Sequence, residues 1–341
     1  MSAKIAAPGP DTIREAAEIL RNGRLLGLPT ETVYGLAADA RQGPAVARIF
    51  EAKGRPQFNP LIVHFHEPAQ LEDYVVMDER ARACATLFWP GPLTLILGQK
   101  PGHDVHELAM AGLSTMAVRI PSHPVAREVL KTFGGPVAAP SANLSGRLSP
   151  TSPKHVIQDL GDKIDLILAG GPSQIGLEST VLDLSDTAPV ILRPGGINAP
   201  DLARALGAPP LFADDTPDDA EAPKSPGRTL RHYAPESRLR LNAVDLKPGE
   251  ALLAFGSSRF IGIRGGGRAD QLPENRQRNL SESGDLNEAA ANLYAHLRDL
   301  DQSGVAGIAV MPVPDHGLGA AINERLRRAA QTGETPEDVL G

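Results

Sequence analysis

Four apolar segments of this 341-residue chain each run straight into a small cluster of hydroxyls, amides or cations. Leu25–Leu28 leads into Pro29-Thr30-Glu31-Thr32-Val33-Tyr34-Gly35, and Lys53-Gly54-Arg55-Pro56 with Asn59 precedes Leu61-Ile62-Val63-His64. Further on, Val137-Ala138-Ala139 meets Pro140-Ser141-Ala142-Asn143, and Glu178-Ser179-Thr180 opens the run Thr180–Leu184. Prolines, threonines, an acid and a tyrosine at a strand end make poor core and good pocket-mouth material. One shared site fed by several strands is the economical reading, and it requires a sheet that brings distant segments side by side.

The pattern over residues 1–205 fits such a sheet. Strand candidates are Leu25–Leu28, Leu61–Phe65, Leu93–Leu97, Thr115–Ile120, Val137–Ala139, Ile164–Leu168, Thr180–Leu184 and Val190–Leu192. Helical periodicity marks Ile13–Arg21 (capped by Asp11 or Thr12), Gly43–Lys53, Pro124–Phe133 and Pro153–Leu160. This predicts a mixed α/β domain around one large twisted sheet. Prolines and five acids between Ala213 and Ala222 break all periodicity, so 206–236 reads as a linker. A smaller α/β domain is expected over 237–341, with strands at Ala251–Phe255 and Ala306–Met311 and helices at Asp285–Asp301 and Gly319–Ala330. A chain of this length accommodates two domains.

Several function classes drop out. The formal charge of −7 sits mostly in the second part, since residues 1–205 hold 19 Lys/Arg against 21 Asp/Glu. A stand-alone nucleic-acid binder would show a basic face, so tRNA is expected to bind weakly or indirectly at most. No apolar run approaches the ~20 residues that cross a bilayer, and the N-terminus lacks a signal core; a cytoplasmic location without membrane contact is the expectation. Cys84 is the single cysteine, which excludes an internal disulfide and a cysteine metal cluster, and its helical setting reads as packing. There is neither a P-loop nor a dinucleotide fingerprint. His103-Asp104-Val105-His106-Glu107 reads as a surface loop rather than a metal site, and Gly265-Gly266-Gly267 as a turn.

What remains is a site of cations, hydroxyls and amides. Lys53 and Arg55, a point charge and a fork at a helix end, suit a polyphosphate or simply offset the helix dipole. Arg119 lies inside the apolar strand Met116–Ile120 and must be paired, with Glu31, with Glu178 or with a substrate carboxylate. Asn59, His64, Ser141, Asn143, Ser149, Ser179 and Arg193 outnumber what turns need. No nucleophile stands beside a base, so positioning and electrostatics of a phosphate-bearing substrate are favoured over covalent catalysis.

With these clusters in order, the chain resembles the threonylcarbamoyl-AMP synthases of the YrdC type, in their long two-domain (Sua5-type) form. The matching blocks are PTETVYGLAADA (29–40), KGRPQFNPLIVH (53–64), WPGPLTLIL (89–97), MAVRIPSHP (116–124), PVAAPSANLSGRLSPT (136–151), GLESTVLDL (176–184), LRPGGI (192–197) and SPGRTLRHYAP (225–235). The resemblance implies a YrdC-like twisted mixed sheet with a large concave face over 1–205, a lid-like linker over 206–236, and a Rossmann-like C-terminal α/β domain. It also implies a nucleotidyltransferase that joins L-threonine, bicarbonate and ATP into threonylcarbamoyl-AMP and pyrophosphate. The product would feed a separate tRNA threonylcarbamoyl transferase. Carried over by position, Thr32, His64, Arg119, Ala139 and Ser179 would contact threonine, Arg119 through its carboxylate. Arg55, Asn59, Thr115, Ser141, Asn143, Ser149, Arg193 and Tyr233 would hold ATP, with Lys53 on the phosphates. Lys53, Arg55 and Arg193 would offset phosphate charge with Mg2+ as cofactor, and His64 would be the nearest thing to a general base. Arg228 and Leu230 depart from the family's usual Met and Tyr there, while Tyr233 would reach back over the nucleotide.

Overall fold

The computed structural model describes residues 3–213, 233–258, 261–264 and 266–331. These fall into two compact units, one within Met1–Ser145 and Ser149–Arg228, the other within Gly146–Leu148 and Thr229–Gly341. Most of the linker, with Arg228, Leu230 and the acidic run, lies outside the described residues.

The strands of the first unit are β1 (Lys4–Ala6), β2 (Leu26–Leu28), β3 (Gly35–Asp39), β4 (Ile62–His64), β5 (Leu93–Gly98), β6 (Thr115–Arg119), β7 (Val137–Ala138), β8 (Leu166–Leu168), β9 (Thr180–Asp183), β10 (Val190–Arg193) and β11 (Leu211–Phe212). Its helices are α1 (Pro10–Arg21), α2 (Gly43–Lys53), α3 (Pro68–Leu71), α4 (Glu79–Phe88), α5 (Glu107–Met110), α6 (Pro124–Phe133), α7 (Pro153–Leu160) and α8 (Ala199–Leu206). Among the described residues the strands form one mixed eleven-stranded sheet in the order β1-β8-β2-β3-β7-β4-β6-β5-β9-β10-β11.

Pairing register assigns every side chain to a face, because alternate residues point to opposite sides. Val63, Val118, Leu95 and Leu182 point to the face that carries the main core with α2 and α4. The other face is divided. Over β8, β2, β3 and β7 it is covered by α1 and α6, which bury Ile19, Leu20, Val129 and Leu130 against Leu26, Ala37, Val137 and Leu166. Beyond β7 those helices stop, and the same face continues through His64, paired with Val137 and Arg119, to Thr94, paired with Arg119. There it holds only a small apolar patch of Ile62, Ile96, Ala117, Val181 and Leu192. Of the candidate site residues, His64, Thr115 and Arg119 lie on this face.

Three helices start and stop where periodicity places them: α2, α6 and α7. Gly54 ends α2 in the left-handed region at φ 59°, where glycine carries no Cβ penalty. The first helix begins three residues earlier than its pattern, with Gly9 as cap and Pro10 in its first turn rather than an Asp11 or Thr12 cap. Cys84 is fully buried in α4, and burial pushes its thiol up to about 11.

The second unit holds β12 (Arg238–Arg240), β13 (Asp245–Leu246), β14 (Glu250–Ala254), β15 (Gly262–Ile263), β16 (Gln277–Asn279) and β17 (Gly307–Val310), with α9 (Leu286–Asp301) and α10 (Leu318–Ala330). Four strands pair in parallel in the order β12-β17-β14-β16. No helix among the described residues is long and apolar enough to cross a membrane.

Candidate active site

The stretch Pro29–Ala40, read as pocket-mouth material, is buried throughout. Tyr34 is core: its hydroxyl donates to Gly171 O at 2.6 Å and accepts from Gly170 N at 3.1 Å. Gly35–Asp39 then continues as a buried strand. Only the Thr30-Glu31-Thr32 turn supplies polar groups to a cluster, and there Thr30 and Thr32 share a 2.8 Å hydroxyl hydrogen bond.

Arg119, 4% exposed, is the centre of that cluster. Its Nη2 donates to Glu31 Oε1 at 2.6 Å, its Nη1 to Thr32 Oγ1 at 2.9 Å and its Nε to Gly91 O at 3.2 Å. Of the partners open to it in the sequence, Glu31 is the one it has in the fold; Glu178 instead accepts from the Ser149 hydroxyl. Burial alone would raise the Glu31 carboxyl, but the adjacent guanidinium outweighs it and holds the group below its usual range. Beside them His64 is buried, and desolvation together with Arg119 pushes its imidazole down to about 3. The neutral imidazole is the favoured form in this setting.

The network continues across the sheet. Thr94, opposite Arg119, shares a 2.7 Å hydroxyl hydrogen bond with Ser179. Arg193 reaches the same residue, with Nη2 at 3.0 Å from Ser179 O and 3.2 Å from its Oγ. Gly195 is required by close approach, since a Cβ there would stand 2.4 Å from Glu178 O and Thr180 N. Thr32, His64, Arg119, Ser179 and Arg193 are thus brought together, and Thr94, a hydroxyl inside an apolar strand, is the member that sequence reasoning missed.

A second group gathers at the end of α2. Lys53 is 2% exposed, and its Nζ donates to the carbonyls of Ser141 and Asn143. Burial, and then Arg55, lower its pKa well below the usual lysine value. Arg55 donates from Nη2 to Pro60 O at 3.0 Å and from Nε to Asn59 O at 3.3 Å. The Asn59 Oδ1 is buried without a hydrogen bond from any described residue. Ser141 bridges to Gly35, and Ala139 N donates to Ile62 O at 3.0 Å, which ties this loop to β3 and β4. Thr115, half-buried, lies on the same face of β6 as Arg119.

Tyr233 belongs to the second unit. It is 1% exposed at φ 63°, an uncommon conformation for a tyrosine. Its ring stacks on Tyr294 with centroids 5.9 Å apart, under the guanidinium of Arg325 at 4.9 Å. In the first unit His106, part of the metal-like run, caps the short helix α5. Among the described residues no three His, Cys, Asp or Glu side chains stand close enough to hold a metal ion.

The family model described as "Telomere recombination", which groups the Sua5, YciO and YrdC proteins, matches residues 18–195. A second, "Threonylcarbamoyl-AMP synthase, C-terminal domain", matches residues 197–331. The chain is 42% identical to the threonylcarbamoyl-AMP synthase of Bacillus subtilis strain 168, covering 93% of this chain and 92% of that one. It is 40% identical to the protein of that name from Pyrococcus abyssi, covering 93% and 94%. The crystal structure of P. abyssi Sua5 complexed with L-threonine superposes with a TM-score of 0.83 at 36% identity, over 96% of this chain and 97% of that chain.

Proposed function

The chain belongs to the threonylcarbamoyl-AMP synthase family in its two-domain Sua5 form, and on that premise we propose the reaction and the work of each side chain. It joins L-threonine, bicarbonate and ATP into threonylcarbamoyl-AMP and pyrophosphate for the threonylcarbamoyladenosine modification of tRNA. The observation that carries this reading is a buried guanidinium, Arg119, ringed by Thr32, Thr94 and Ser179, in a chain that matches a threonine-bound relative along nearly its whole length.

Threonine lies with its carboxylate on Arg119 and its side chain toward the hydroxyls of Thr32 and Ser179, between His64 and Ala139. ATP is held by Arg55, Asn59, Thr115, Ser141, Asn143, Ser149 and Arg193, and the family resemblance adds Tyr233 to this set. After the ammonium gives up a proton to solvent, the threonine nitrogen bonds to the carbon of CO2 with loss of a second N–H proton, or to that of bicarbonate with loss of water, to give a carbamate. A carbamate oxygen then bonds to the α-phosphorus of ATP as the bond to the β-phosphate oxygen breaks, which makes this a nucleotidyl transfer. Arg55, Arg193 and Lys53 balance charge on the phosphates. The arrival of a polyphosphate favours the charged form of Lys53, whose ammonium is suppressed by burial. The gathered groups are cations, hydroxyls, amides and two carboxylates, Glu31 and Glu178, that are engaged by Arg119 and Ser149, a set that fits Mg2+ as a companion of the ATP phosphates and not as an ion held by protein ligands alone. When bound it would neutralise phosphate charge.

The product passes to a separate tRNA-modifying transferase, and the near-neutral charge of residues 1–205 supports an indirect relation to tRNA. A cytoplasmic setting fits that role. The test is pyrophosphate release from ATP by the purified protein, with L-threonine and bicarbonate omitted in turn. Release that needs both is expected. Release that persists without threonine overturns the assignment.

A further inference from the structure

Glu31 takes part in none of the steps above, yet it is 2% exposed and sits at the centre of the site. Its Oε1 accepts from Arg119 Nη2 at 2.6 Å, while its Oε2 is buried without a hydrogen bond of ordinary geometry from any described residue, although the backbone N–H groups of Glu31 and Ser122 lie near enough to favour the ionised carboxylate. A buried carboxylate oxygen without a donor is a costly group to maintain, and such groups call for an explanation. Arg119 is half used in the same way. Three of its five N–H donors go to Gly91, Thr32 and Glu31, which leaves two for a ligand.

A cation with spare donors locked to an anion with a spare oxygen is the complement of a zwitterion. In a free α-amino acid the ammonium nitrogen and the nearer carboxylate oxygen lie roughly 3 Å apart, from standard bond lengths. The 2.6 Å contact between Arg119 Nη2 and Glu31 Oε1 holds the two groups side by side, so one compact zwitterion can reach both. We propose that Glu31 binds the α-ammonium of L-threonine through Oε2 while Arg119 takes the α-carboxylate. The inference rests on the threonine site described above and adds to it a residue that reads the amine. The ion pair holds Glu31 ionised, as an ammonium acceptor must be. Converting the amine to a carbamate removes the positive charge, so this contact serves the substrate and is absent from the product. It also rejects hydroxy acids and N-acylated amino acids, which match the rest of the site but lack the charge.

The experiment compares two ligands by calorimetry on the full chain, L-threonine and 3-hydroxybutanoate, which lacks only the α-amine. The unaltered protein is expected to prefer threonine by between about ten- and a hundredfold, the range for a hydrogen bond to a charged group. Glu31→Gln keeps an acceptor for Arg119 but turns an amide NH2 toward the ammonium. It is expected to abolish that preference while binding 3-hydroxybutanoate as before. Equal affinity of the unaltered protein for both ligands overturns the proposal, as does a parallel loss of both in Glu31→Gln, which would mark a purely structural role. If Glu31→Gln does not fold, Glu31→Asp decides the matter. It keeps the charge beside Arg119 but withdraws the oxygens by one bond, and an undiminished preference for threonine in that variant overturns the proposal. Failure of the unaltered protein to bind threonine at all is a separate result, and it overturns the underlying site assignment together with this inference.

Discussion

Arg119→Met removes the guanidinium and keeps a side chain of similar reach, so it isolates the charge. At 2.6 Å and an effective dielectric near 20, the gross attraction between Arg119 and Glu31 is about 6 kcal/mol. Desolvation of the two groups, 4% and 2% exposed, consumes much of that. The variant loses the attraction but keeps the desolvated Glu31, so the expected destabilisation at pH 7 is about 3–5 kcal/mol. The pH dependence gives the cause away. With Arg119 present the Glu31 carboxyl lies below its ordinary 4.5, and its stabilising contribution is present above 4.5 and lost as pH falls through the depressed value. Without Arg119, burial, the largest influence, is opposed only by the backbone N–H groups of Glu31 and Ser122, so the carboxyl moves up and the variant recovers stability as pH falls through the raised value. The gap between the two proteins is therefore widest at neutral pH and narrows toward pH 4. Urea denaturation followed at Trp89 measures it, because Trp89 is the single tryptophan, is buried, and is tied through Nε1 to Leu93 O at 2.7 Å in the same unit. Adding Glu31→Gln to Arg119→Met should restore at least about 1 kcal/mol, as coupled neighbours do. A loss below about 1 kcal/mol, a gap that does not change with pH, or strict additivity in that cycle would refute the reasoning.

His64 gives the first unit a second acid sensitivity. Its folded value of about 3 lies below the ordinary 6.5, so below pH 6.5 the unfolded chain binds a proton that the folded chain refuses. Stability should fall by up to about 1.4 kcal/mol per pH unit as pH drops from 6.5 toward 3, and His64→Gln should flatten that slope in the same Trp89 assay; an unchanged slope would place the sensitivity elsewhere. At Gly195 an added Cβ meets backbone atoms of Glu178, Ser179 and Thr180 at 2.4–2.5 Å. Gly195→Ala should cost about 1–3 kcal/mol and slow pyrophosphate release by displacing Ser179, and a variant with unaltered stability and rate would show that this contact is soft.

Legibility in the sequence followed burial asymmetry. The helices α2, α6 and α7 have one buried face and one solvated face, so their apolar period shows. Strand β3 is buried on every residue and reads Gly-Leu-Ala-Ala-Asp, with neither alternation nor β-branched side chains, so nothing announced it. The helix α8 begins at Ala199, behind its cap Asn198 and with Pro200 in its first turn, and those residues resemble the start of the proline-rich stretch that follows. Arg119 was legible because a charge inside an apolar strand demands a partner. Thr94 was not, because a threonine in a strand is ordinary and only the fold brings Ser179 to it. Tyr34 stood in a stretch read as pocket-mouth material, and its hydroxyl serves the Gly170–Gly171 backbone.

The cations of the site also act before any ligand arrives, and this explains why distant segments converge. Lys53 at the end of α2 holds the Ser141 and Asn143 carbonyls. Arg55 holds those of Asn59 and Pro60, and Arg193 holds that of Ser179. Each cation therefore fixes a carbonyl in one of the loops whose hydroxyls and amides the family resemblance assigns to substrate. A side chain without N–H donors at any of these positions would leave those carbonyls without their partners. Lysine at position 193 would keep the charge but lose the planar fork, whose Nε and Nη2 both reach Ser179 O. The positive charge and the shape of the site thus depend on the same side chains, so a substitution that lowers one disturbs the other.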